Sequence, residues 1–471
     1  APGDRVYSAV GADTDTSYES WSGTSMATPH ISAALSIIKQ RLREIFPNAG
    51  TAEINELAYA FAMSTANQVN GFVRQQGAGL IDIYKAISTD VYLTVPDSSR
   101  PKLEVGESED GTFTFTFVLN NIGSVDHTYS ISVKALIEQI STETYTGHWT
   151  HEEEPTEVNL IGGAIDDVSD MVTNNAPASV TVPAGESVAV TMTIAANEEL
   201  MSYFDEYFPV GAFLEGWVKL TEDAEDGIDL SIPFLGYVGD WDEPSMLDRG
   251  YYWQAATGEV NLMSFVNTLY NIAGYGNEQG LGINRYADMT GETYLPDRNA
   301  ISPNGDGIYD AFTYVEFVLL RNASLITLNV EDLNGNVIEN LYTTTYSSKD
   351  SYGGGFGSSG NSWHNIVVNY DGSALAENET VNIVLETWLD HEGYLPENNE
   401  SGRWVIPVTK DTQAPAVSIT EDGIRIVEER ISPPEGSADT SLYDKHANLK
   451  KQLAEAESQW QQAVEERESP L

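Results

Sequence analysis

Residues 112–119 read Thr-Phe-Thr-Phe-Thr-Phe-Val-Leu. Polar and apolar side chains alternate with period two, and only an extended strand sends such a pattern to two faces, one wet and one dry. The alternation returns at 129–133, 179–182 and 188–194, with Pro183-Ala184-Gly185-Glu186 as the turn before the last of these. Short alternating strands broken by Gly, Pro and Asn turns predict an antiparallel β-sandwich over residues 91–238. A second β-sandwich module is predicted over 239–417, with its clearest strands at 311–320, 325–330 and 381–385. Residues 352–360, Tyr-Gly-Gly-Gly-Phe-Gly-Ser-Ser-Gly, form a loop poor in anything that packs. Residues 418–471 are predicted as linker, a strand pair (417–419 with 424–427) and a charged helix at 441–468. The apolar spacing of that helix favours packing on one side over a short coiled coil. At roughly 150 residues per domain, 471 residues have room for about three domains.

Composition narrows the class. The chain carries 72 acidic and 23 basic residues, a net charge of −49. Nucleic acid is excluded as a partner, because phosphates would be repelled over most of the surface. An acidic membrane surface is disfavoured for the same reason. Wholesale disorder is excluded too, since 41% of residues are hydrophobic. Cysteine is absent, which removes disulfides, thiolate metal sites and a cysteine nucleophile. No run of 18 apolar residues exists, so no membrane span is predicted. The chain opens Ala1-Pro2-Gly3-Asp4 with no methionine and no signal segment, and is expected to begin inside a longer polypeptide.

The first 90 residues have another texture. Ala27, Ile31, Ala34, Leu35, Ile38, Leu42 and Ile45 recur at close to a helical period, which predicts a helix over 25–46 that ends at Pro47-Asn48-Ala49-Gly50. A second helix is predicted at 52–63 and a short closing one at 80–87. The run Ser22-Gly23-Thr24-Ser25-Met26-Ala27-Thr28-Pro29-His30 enters the first of these helices. Gly23 permits close approach or a positive φ, and Thr24 is a good N-cap. Ser25 then falls in the first turn, where backbone N–H groups are unpaired and the helix dipole is positive. An alkoxide and the oxyanion of acyl transfer would both be stabilised there. His30, five positions on along the same helix, is badly placed to take the Ser25 proton and reads as structural.

The octet Gly23–His30 resembles the nucleophile motif of subtilisin-like serine proteases, and its flanks agree. Ala1-Pro2-Gly3 with Val6-Tyr7-Ser8 is similar to the strand and loop that lead to the family's serine, and residues 76–82 resemble the segment closing its catalytic domain. The resemblance implies that residues 1–90 are the C-terminal part of an α/β catalytic domain. It implies that Ser25 is the nucleophile with its own N–H as one oxyanion donor, and that Gly23 and Thr24 support the motif. The family's Asp, His and Asn partners are expected before Ala1, in a missing N-terminal catalytic segment, so the chain alone is expected to be inactive. Residues 208–218 and 233–241 resemble the fibronectin type III-like modules that large cell-envelope subtilases carry behind the catalytic domain. The implied protein is an extracellular, secreted or cell-surface endopeptidase that acts on protein or peptide substrates and associates with the cell wall. The alternative is a non-catalytic surface adhesion protein that works through its β modules. An α/β-hydrolase fits poorly, because position 27 is Ala and not the Gly of a nucleophile elbow.

One further loop, Ser302-Pro303-Asn304-Gly305-Asp306-Gly307-Ile308-Tyr309-Asp310, brings Asn304, Asp306 and Asp310 to a tight turn. Two readings stand: a structural calcium held by those oxygens, or an Asx-rich turn without metal. The resemblance implies that no cofactor is required for catalysis.

Overall fold

The computed structural model describes residues 1–10, 17–145, 156–247, 268–272, 278–282, 299–307, 309–349, 364–399, 401–413, 416–420 and 423–427. The chain divides into two compact units, Ala1–Trp241 and Asp242–Leu471.

The first unit opens with an antiparallel hairpin, β1 (Val6–Ala9) and β2 (Tyr18–Trp21), with Val6 opposite Trp21. Helix α1 (Thr24–Ile45) follows and buries Ala34, Leu35, Ile38 and Leu42 along one stripe, as the periodicity predicts. Helix α2 (Thr51–Ser64) lays Ile54, Ala58, Phe61 and Ala62 into the same core. After α3 (Val73–Gln76), α4 (Ile83–Ser88) adds Ala86. Helix α4 starts three residues later than the sequence predicts. Leu80 is held in a backbone bridge with Asn67, and Asp82 Oδ1 accepts from Lys85 N at 3.0 Å to cap the new start. The cap of α1 also differs from expectation. Gly23 occupies the N-cap position with no side-chain cap, and Thr24 lies one residue inside the first turn.

A sandwich completes this unit. Its strands are β3 (Val91–Thr94), β4 (Leu103–Ser108), β5 (Thr112–Asn121), β6 (His127–Tyr145), β7 (Thr156–Asp167), β8 (Val172–Asn174), β9 (Ser179–Val182), β10 (Ser187–Ala196), β11 (Ala212–Glu222) and β12 (Leu230–Val238). One sheet runs β3-β5-β10-β8. The other runs β4-β12-β11-β6-β7, with β9 also on β6. The alternation in β5 has the predicted effect. Phe113, Phe115, Phe117 and Leu119 enter the core, while Thr114 and Thr116 face out and hydrogen-bond across to Thr193 and Thr191 of β10, each at 2.8 Å. Helix α5 (Glu198–Tyr207) bridges the strands and was not predicted. It is capped by Asn197, whose Oδ1 accepts from Leu200 N, and it buries only Leu200 and Phe204.

Strand β11 departs from a half-buried pattern. Leu214, Val218 and Leu220 fill the sandwich core, but Glu215 and Trp217 on the opposite face are buried as well. There Trp217 and Leu136 meet Phe72 and Val73 in a second small cluster, so the α3 segment lies on the outside of this sheet.

The second unit contains β13 (Thr268–Ile272), β14 (Glu278–Gly280), β15 (Ala300–Ile301), β16 (Phe312–Phe317), β17 (Ala323–Glu331), β18 (Val337–Ser347), β19 (His364–Tyr370), β20 (Thr380–Trp388) and β21 (Arg403–Lys410). Sheets β14-β13-β16-β19 and β15-β21-β20-β17-β18 share one core that includes Phe312, Phe317, Leu328, Ile383 and Val408. A hairpin of β22 (Ala416–Thr420) and β23 (Gly423–Val427) forms where the strand pair is predicted. The glycine-rich run 352–360 and the helix predicted at 441–468 lie outside the described residues. Among the described residues, no helix is long and apolar enough to cross a membrane.

Candidate active site at the start of the first helix

The approach to Ser25 is built by residues far apart in the chain. Gly3 O accepts from Gly23 N at 2.7 Å. Ser22 Oγ donates to Asp4 Oδ1 at 2.7 Å and accepts from Arg5 N at 2.9 Å. The Ser22 hydroxyl first, and Arg5 second, hold the Asp4 carboxyl below its ordinary value. A Cβ on Gly3 would stand 2.9 Å from Gly23 O and 3.1 Å from Ala27 Cβ, so the N-terminal segment requires small residues where it crosses the motif. Gly23 itself adopts φ 150° and ψ 169°, a conformation essentially reserved to glycine. Space is not the reason, since the nearest side-chain atom to a Cβ there would be Met26 Sδ at 3.8 Å. Sequence reading found Gly23 but not Asp4, because nothing local marks an aspartate that will bind a serine 18 residues away.

Ser25 is the second residue of α1 and is exposed. By its position its N–H has no intrahelical acceptor. An open cleft of about 450 Å³ lies over it, with Tyr7, Trp21, Met26, Pro29 and His30 among its walls. Pro29 removes the donor that would have bonded the Ser25 carbonyl. His30 Nδ1 lies 2.9 Å from Met26 O. A carbonyl only accepts, so Nδ1 donates and the ring is tied to its own helix. Among the described residues no histidine hydrogen-bonds Ser25 Oγ. His127 Nδ1 faces Glu222 at 2.5 Å and His391 Nδ1 faces Asp242 at 2.8 Å, both within β modules. His148, His151, His446 and the side chain of His364 lie outside the described residues. Ser25, Gly23 and Thr24 thus stand together at one helix entrance.

The candidate metal residues lie elsewhere, in the loop between β15 and β16. Asp310 accepts from Gly305 N and Gly307 N, both at 2.7 Å, one on each carboxylate oxygen. Asn304 Oδ1 accepts from Asp306 N at 2.9 Å, and Asn304 Nδ2 donates to Asp306 Oδ2 at 3.2 Å. These oxygens serve the loop's own donors. Among the described residues no group of three or more His, Asp or Glu side chains is arranged to hold a metal ion.

Residues 1–79 match the Subtilase family, and residues 103–235 match the Fn3-like domain. Together these matches support a likeness to subtilisin-like proteases. It is 27% identical over 380 residues to the PII-type proteinase of Lacticaseibacillus paracasei, covering 75% of this chain and 18% of that protein. It is 26% identical over 379 residues to the PI-type proteinase of Lactococcus lactis subsp. cremoris, with the same two coverages. It is 25% identical over 404 residues to the C5a peptidase of Streptococcus pyogenes serotype M6, covering 72% of this chain and 31% of that protein. The chain therefore spans less than a third of the length of these relatives.

Proposed function

We propose that Ser25 is the nucleophile of a subtilisin-like serine endopeptidase. The observation that carries this reading is an exposed hydroxyl in the first turn of α1 with an open cleft above it. Ser25 Oγ attacks the scissile carbonyl of a protein or peptide while a general base removes its proton. The Ser25 N–H and the positive end of α1 receive the charge that develops on the carbonyl oxygen. Loss of the amine leaves an acyl-enzyme, which water then hydrolyses. His30 is bound to Met26 O and is not the base. Among the described residues no histidine reaches Ser25 Oγ, and we propose that the base and its orienting acid are not supplied by these 471 residues, which would then be inactive alone. The likeness to the PII-type proteinase and the C5a peptidase supports an extracellular or cell-surface location with cell-wall association, which the strongly acidic charge permits. For residues 302–310 we adopt the cation-free turn.

Labelling with a serine-directed fluorophosphonate tests the assignment. The intact protein, with its upstream sequence, should be modified at Ser25, and Ser25→Ala should abolish the modification. The present chain should label at least about a thousandfold more slowly, the scale of losing a triad base. An intact protein that stays unlabelled would support the adhesion reading.

A further inference from the structure

Among the links between the two matched regions, which include a hydrogen bond from Gln68 Nε2 to Ser231 Oγ at 2.6 Å, one arginine carries the charge. Arg74 belongs to the Subtilase match, whereas Glu138 and Glu215 belong to the Fn3-like match. The guanidinium of Arg74 reaches Glu215 Oε1 with Nε at 3.1 Å and Glu138 Oε1 with Nη2 at 2.8 Å. The Arg74 backbone N–H donates to Glu215 Oε2 at 3.0 Å. The same guanidinium lies 4.8 Å from the ring centres of both Phe72 and Phe213, one ring from each region. Glu215 is fully buried. Removing one partner of such a pair leaves an uncompensated buried charge, so we read the pair here as a constraint on geometry.

The segment bearing Arg74 is in turn tied to the helix bearing Ser25. Asn67 and Leu80 exchange backbone hydrogen bonds of 2.8 Å and so close the loop that contains α3. Gly79 must be glycine there, since it has φ +125° and a Cβ would stand 2.4 Å from Asn67 O. Asn67 then binds α4, with Nδ2 on Asp82 at 3.0 Å and Oδ1 receiving Lys85 Nζ at 2.7 Å. Helix α4 packs Ala86 against Leu35, Ile38 and Leu42 of α1, and Arg41 of α1 holds Asp90 at 2.7 Å.

We propose that Arg74, held by Glu215 and Glu138, makes the first β-sandwich a positioning element for α1, so that the sandwich fixes where Ser25 stands. Its meaning for catalysis rests on the proposed role of Ser25, but the mechanical coupling does not.

Hydrogen–deuterium exchange on the full chain tests the coupling. Arg74→Met should speed exchange roughly tenfold in residues 67–88 and 24–45, while strands 112–121 and 187–196 stay protected. A change confined to 72–77 and 212–222, or no change, overturns the proposal. If Arg74→Met also unfolds the sandwich, Glu138→Gln decides. It removes only the outer partner, and should raise exchange in 24–45 and 67–88 about threefold; an unchanged pattern again overturns the proposal. In the intact protein, Arg74→Met should slow phosphonate labelling of Ser25 by about tenfold. Equal labelling of wild type and variant overturns the positioning role. Absence of labelling in the wild type overturns the Ser25 assignment instead, and the exchange result then stands alone.

Discussion

Two kinds of residue define the first unit. Ser25 is local in its logic: a glycine, a small hydroxyl residue and a helix entrance stand in consecutive positions, and the proposed role rests on the eight letters of Gly23–His30. Glu215 is the opposite case, since its partner Arg74 is 141 residues away. Burial raises its carboxyl above the ordinary value of 4.5, and the backbone hydrogen bond from Arg74, the charge of Arg74 and a backbone hydrogen bond from Val73 offset this only in part. The sign of the linkage follows. A carboxyl whose folded value is raised contributes stability that is present below pH 4.5 and is lost as pH rises through the raised value. The stability advantage of wild type over Glu215→Gln should therefore shrink as pH climbs from about 4.5 towards neutrality. Urea melts of both proteins across that range check this, and an advantage that grows with pH would show Arg74 dominating.

At the scale of elements, legibility followed periodicity. Helix α1 and strand β5 carry long regular patterns, and both fold as their patterns predict. Helix α5 has ten residues of which two are buried, too short a stripe to stand out. Strand β11 reads Ala-Phe-Leu-Glu-Gly-Trp-Val and is buried on both faces, so its Glu215 and Trp217 look like a broken alternation until the α3 segment that covers them is in place. The 302–310 loop shows the same limit. Its Asn and Asp spacing suits either a cation or a turn, and the hydrogen bonds from Gly305 and Gly307 to Asp310 support the turn. Asp310→Ala should cost the second unit about 1–2 kcal/mol, with or without calcium. If millimolar calcium raises the melting point of the wild type but not of this variant, the cation reading replaces the turn.

For the whole molecule, the first unit's sandwich and the second unit each have their own core. Phe117→Ala and Phe317→Ala each remove a fully buried ring and should each cost about 3–5 kcal/mol. In a denaturant titration followed by segment-resolved exchange, the first should lower the midpoint of residues 112–121 alone, and the second that of residues 323–331 alone. A shared shift would mean that the chain unfolds as one body. The sequence alone determined the helix that carries Ser25, the inward phenylalanines of β5 and the cysteine-free, strongly acidic character, because each depends on neighbours or on plain counting. Only the tertiary structure decided that Asp4 holds Ser22, that Asp310 closes its own loop and that Arg74 is locked to Glu215. Those choices rest on which surfaces meet and lose water, and a linear pattern carries no record of partners brought together by folding.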